Sequence, residues 1–163
     1  MTDYTKYKDI VYKIIGASMS VHSELNWGLL ESVYQEALHW ELQECGIENE
    51  CEKEIQCFYK THKLDKKYKM DIVVNDIIVE LKSCKELIPA HRAQLFNYMR
   101  LTRKPVGILL NFGCRSLQGE RYAWIEETNE CILLDRNMNL LYEDEIECDY
   151  EYCLNENKEE EEK

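Results

Sequence analysis

The chain has 163 residues, 45% hydrophobic and 10% aromatic, which suits one folded domain with a sizeable core. Its eight cysteines and four histidines contain no Cys-x-x-Cys and no paired ligand spacing, which argues against zinc, an iron–sulfur cluster or a disulfide framework and for reduced, mostly buried thiols. Net charge is −12, yet residues 143–163 hold 11 acids against 2 lysines while 1–142 hold 21 acids against 18 bases, so a nucleic-acid partner is not excluded for the larger part.

No apolar run approaches the roughly 18 residues of a membrane span, so no membrane partner is expected. The start, Met1-Thr2-Asp3-Tyr4, lacks a signal-peptide apolar core, and the expected location is cytoplasmic. Apolar positions Tyr7, Ile10, Val11, Ile14, Ile15 and Val21 predict a helix over about 4–25, broken by Asn26-Trp27-Gly28. A second helix over about 28–45 carries the stripe Leu30, Val33, Tyr34, Ala37, Leu38, Leu42 and Cys45, with Gly46 as its stop. Glu31 falls at the edge of that stripe and Glu41 on it, and the helical wheel does not choose between them.

Residues 52–60 read as a strand, followed by a basic turn carrying Lys60, Lys63, Lys66, Lys67 and Lys69 with Tyr59 and Tyr68 among them. Strands over 68–74 and 77–82 come next. Pro89 opens a third helix on which Gln94, Tyr98 and Leu101 share a face. Arg92, Arg100, Arg103 and Lys104 lie on and after that helix. Both basic groups suit phosphate binding, although a charge run also suits a solvated turn. Pro105 ends the helix, 106–112 forms a buried strand, and 121–126 with 131–135 form a further hairpin. The order is ααβββαβ with a short C-terminal β extension, an α/β class of α+β type built on a mixed sheet. Residues 1–142 make the domain. Residues 143–163 form an acidic tail, expected to be disordered, whose roles are solubility or contact with a basic partner.

The chemistry concentrates in the central hairpin. Asn75-Asp76 between β-branched runs predicts a tight turn pairing Val74 with Ile77, which puts Asp71 opposite Glu80 with Lys82 on the same face. Opposed carboxylates lie about 4.5–5.5 Å apart at Cβ and repel, so a cation between them is one reading. Mg²⁺ is often held by one or two carboxylates. A structural ion pair with Lys82 is the other reading.

Five ordered blocks resemble the GxxExxY protein family of the PD-(D/E)XK nuclease-like superfamily. They are Gly28-Leu29-Leu30-Glu31-Ser32-Val33-Tyr34 through Leu38, Tyr68-Lys69-Met70-Asp71, Val79-Glu80-Leu81-Lys82, Ala93-Gln94-Leu95-Phe96-Asn97-Tyr98-Met99, and Leu109-Leu110-Asn111-Phe112-Gly113. The resemblance covers about 7–115 and implies a restriction-endonuclease-like core. It implies Asp71 and Glu80 as metal ligands, with the Leu81 carbonyl available as a third. It implies Lys82 as the catalytic lysine, Glu31 as a helix acid reaching the site, and Gln94 as a supporting polar group. Met70 stands where the superfamily name has proline. The implied function is Mg²⁺- or Mn²⁺-dependent cleavage of DNA or RNA. The alternative is an inactive nuclease-fold module binding nucleic acid or a protein partner, and a homodimer would suit a two-stranded substrate.

Overall fold

The computed structural model describes residues 2–142, so the acidic tail lies outside the described residues. A 3₁₀ turn at Tyr4–Tyr7 leads into α1 (Lys8–Leu25), and α2 follows at Glu31–Glu44. Strands β1 (Glu50–Tyr59), β2 (His62–Val74) and β3 (Ile77–Lys82) precede α3 (Pro89–Thr102). Then come β4 (Val106–Asn111), β5 (Gln118–Ile125) and β6 (Glu130–Leu134).

The six strands form one sheet in the order β1-β2-β3-β4-β5-β6, antiparallel throughout except for the β3–β4 pair. Parallel neighbours need a crossover, and α3 supplies it. The helices α1 and α2 cover one face through Val11, Ile14, Tyr34, Leu38 and Leu42, packed on Ile72, Val79, Leu81 and Leu110. On the other face α3 sets Leu95, Tyr98 and Met99 against Met70, Ile78 and Leu109. With helices on both sides, β3 and β4 read as nearly unbroken apolar runs and are buried almost throughout. Gly107 lets α3 come close, because a β-carbon there would lie 2.6 Å from Met99 Sδ and 2.9 Å from Leu95 Cδ1.

The basic segment is a turn only at Lys60 and Thr61; from His62 on it is the start of the long strand β2, whose first eight residues form a two-stranded ribbon with β1. β3 pairs only with Ile72, Val73 and Val74. The ribbon has little core beside it, so its sequence lacks the alternation that marks a half-buried strand. Leu30, Val33 and Cys45 are exposed rather than part of the α2 stripe, because the helix begins at Glu31 and buries Tyr34, Leu38 and Leu42. Among the described cysteines only Cys57 is buried, so the thiols are free but not mostly buried.

The pleat inverts beside the predicted site. Cys51 and Ile72 pack on the α1–α2 side, whereas Ile55 and Met70 pack on the α3 side. Regular alternation would place Cys51 with Ile55, and Ile72 with Met70, on common faces. The inversion falls at Glu52 and Asp71, which stand opposite each other between the pairs Cys51↔Ile72 and Lys53↔Met70 but are not themselves paired. Glu52 has φ of 49°, a left-handed conformation that breaks the ladder there.

Candidate active site

The turn behaves as its residues predict. Asn75 takes a positive φ of 51°, and Val74 pairs with Ile77. The β2–β3 ladder then stops at Ile72↔Val79, one step short of the acids. Their carboxylates take over as acceptors for the backbone. The Asp71 N–H donates to Glu80 Oε1 at 3.0 Å, and the Leu81 N–H donates to Asp71 Oδ2 at 2.9 Å. Strand backbone therefore fixes both acids.

Glu80 is 1% exposed and Asp71 is half-buried. Burial, and then the neighbouring Asp71 carboxylate, push the Glu80 carboxyl up to about 9. Burial also raises Asp71, with Glu52 adding to the rise and the Leu81 N–H and Lys82 opposing it. Without a cation between them the two acids retain a proton at neutral pH.

Lys82 does not satisfy that need. Its ammonium donates to Gln94 Oε1 at 2.7 Å and forms no ion pair with a carboxylate among the described residues. The Gln94 amide is held in turn, with Nε2 donating to Tyr98 Oη at 2.9 Å. An ammonium has only donors, so the amide must face it with oxygen, and the tyrosine hydroxyl receives the other end. Gln94 and Tyr98 are one turn apart on α3, a spacing visible in the sequence, whereas Leu101 on the same predicted face is exposed.

Glu31 is the first residue of α2 and is exposed rather than at the edge of a buried stripe. Burial raises its carboxyl pKa first, with Lys82 lowering it and Asp71 raising it further, so it lies within electrostatic reach of both. The buried Asn111 at the end of β4 ties the neighbouring loops. Its Oδ1 accepts from the N–H groups of Cys84 and Gly113, and its Nδ2 donates to Cys84 O. Gly113 has to be glycine here, since a β-carbon would collide with the Cys84 backbone.

The donor chemistry fits a hard divalent ion. Two adjacent carboxylates without a salt-bridge partner are a common protein contribution for Mg²⁺, with waters and substrate oxygens completing the shell. Among the described residues no group of three or more His, Cys, Asp or Glu is placed to hold a metal ion, so the protein side chains offered are the Asp71 and Glu80 pair. Glu52 is the acid that sequence reasoning missed. It faces Asp71 across the ladder, but the two-residue turn at Lys60-Thr61 does not give that pairing, because the β1–β2 register shifts between Gln56 and Phe58.

The basic residues divide. Lys60, Lys63, Lys66, Lys67 and Lys69 are exposed along the ribbon, and Lys69 lies two residues from Asp71. Lys67 pairs with Glu54 at 3.5 Å, and Lys66 sits 5.1 Å over the Tyr68 ring. The others gather elsewhere. Arg92 makes a two-pronged pair with Glu120 at 2.6 and 2.8 Å, Arg100 donates to Asn129 O, and Arg103 meets Glu126 at 3.4 Å. Arg100 and Arg103 sit at the end of α3 remote from Gln94.

A mixed sheet of six strands with helices on both faces, two acids on adjoining strands and a lysine two residues beyond the second together describe a nuclease-type fold. This chain belongs to the PD-(D/E)XK nuclease superfamily, whose family model matches residues 8–122. Nucleases of that superfamily generally use divalent metals. No curated protein matches the chain. Among solved structures it is similar to the crystal structure of SSO0001, at 18% identity and a TM-score of 0.47, over 71% of this chain and 58% of that one. No helix among the described residues is long and apolar enough to cross a membrane.

Proposed function

We propose that this chain is a Mg²⁺- or Mn²⁺-dependent nuclease that hydrolyses phosphodiester bonds in DNA or RNA, within the GxxExxY branch of its superfamily. One observation carries the reading. The buried Glu80 and half-buried Asp71 form no salt bridge among the described residues, and the ammonium of Lys82 is turned to Gln94. Asp71 and Glu80 would hold the ion, with the Leu81 carbonyl as a further ligand. A divalent ion so held neutralises phosphoryl charge and acidifies water. The remaining steps belong to the chain. Lys82, aimed by Gln94, orients the attacking water and offsets charge developing on the phosphate. Glu31 would hold a metal-bound water or a second ion. The ribbon lysines Lys60, Lys63, Lys66, Lys67 and Lys69 receive flanking phosphates.

The test is a cleavage screen over single-stranded, double-stranded and branched DNA and RNA with Mn²⁺. Wild type cuts at least one substrate, and Lys82→Ala and Asp71→Asn lower kcat by about 100-fold or more. Cleavage at the wild-type rate by either variant rejects the assignment. Calorimetry separates the rival, an inactive module that binds nucleic acid or protein. Wild type takes up Mg²⁺ or Mn²⁺ and Glu80→Gln does not, whereas no uptake at all supports the rival.

A further inference from the structure

Asn26 and Gly28 take positive φ values of 58° and 94° on either side of Trp27. The turn they make is pinned at both ends. Tyr34 Oη donates to Asn26 O at 2.6 Å and accepts from the Leu29 N–H at 3.1 Å, while Ser83 Oγ donates to Leu29 O at 2.5 Å. Ser83 follows Lys82, and Glu31 follows this turn, so the turn borders the site. Trp27 nonetheless stays 47% exposed.

Arg115, from the loop after β4, places its guanidinium 5.5 Å from the centroid of the Trp27 ring. It makes no ion pair with a carboxylate among the described residues. Its loop is held to the same rim, with His22 Nε2 2.8 Å from Cys114 O and Asn111 bound to Cys84. An indole left in solvent beneath an unneutralised guanidinium has what one nucleotide needs, an aromatic face for the base and a cation for its phosphate. A base inside a duplex has both faces covered by its neighbours, but an unpaired base does not.

Resting on the nuclease reading above, we infer that Trp27 and Arg115 form a platform on which an unpaired base of the substrate stacks. The preferred substrate then carries a single-stranded segment at the cut, as a free strand, an overhang or a frayed end.

Fluorescence anisotropy in EDTA tests this with a blunt duplex and the same duplex bearing an overhang. Wild type binds the overhang more tightly. Trp27→Ala weakens that binding by about 10-fold, the order of one stacked base, and leaves the blunt duplex unchanged. Trp27→Phe retains most of the preference, and Trp40→Ala, an exposed indole further along α2, changes nothing. Arg115→Gln lowers the salt slope on a single strand by about 0.7. If wild type cuts nucleic acid but shows no overhang preference, or Trp27→Ala keeps it, the platform is wrong and the nuclease reading stands. A wild type that neither binds nor cuts any nucleic acid overturns both. A wild-type dimer that Trp27→Ala turns into a monomer gives the patch to self-association and also overturns the platform.

Discussion

Replacing Glu80 by Gln in the metal-free protein should raise stability, increasingly so as the pH rises. The Glu80 carboxyl is held at about 9 against an ordinary 4.5. An acid raised in the folded state favours folding while it is protonated. That contribution is complete below 4.5 and is lost as pH climbs toward 9. Each pH unit in that window removes about 1.4 kcal/mol, so about 3 kcal/mol is gone by pH 7 relative to a glutamate with no shift. Gln keeps an oxygen for the Asp71 N–H but has no proton to lose. Urea unfolding in EDTA from pH 5 to 9 should therefore show the variant gaining on wild type at about this slope. Millimolar Mg²⁺ should restore wild type and not the variant, since an ion bound only to the folded state stabilises it. Two parallel stability curves across that range would refute the picture of two buried acids short of charge.

Three further outcomes follow from the same contacts. Tyr98→Phe removes the hydroxyl that fixes Gln94 while keeping the ring against Tyr68, so kcat should fall about 10-fold with KM little changed and stability lowered by about 1 kcal/mol. Glu52→Gly relieves a left-handed φ of 49° and should raise the thermal midpoint, by about 1 kcal/mol of stability, as read by calorimetry. Replacing Lys60, Lys63, Lys66 and Lys69 together by Gln should lower the salt slope of duplex binding by about 3 to 4 without altering metal uptake, because each lysine neutralises about one phosphate.

The parts of the fold governed by local rules were legible in the sequence. Asn75-Asp76 between apolar runs is enough to set the β2–β3 register, and Pro89 and Pro105 bracket α3. Features that depend on packing were not. The ribbon reads as a basic turn because its charged residues have solvent on one side and no β3 partner. Glu31 and Glu41 both fall on or beside the apolar stripe of the helical wheel, and the wheel does not show that Lys82 and Asp71 come near Glu31. Tyr98 reads as packing until its hydroxyl is found on Gln94. The thiols misled because residue type predicts average burial, whereas Cys84 and Cys114 sit in loops at the strand ends.

The pleat inversion at Glu52 and Asp71 makes an outermost strand the splint for an inner acid. β1 carries none of the proposed chemistry, yet its kink opposite Asp71 lets that residue leave the regular ladder and lend its carboxylate to Leu81. Residues along this border, remote in sequence from Lys82 and Gln94, thereby set the aim of the site. Variation on β1 should therefore be felt at the acids before it is felt in the core.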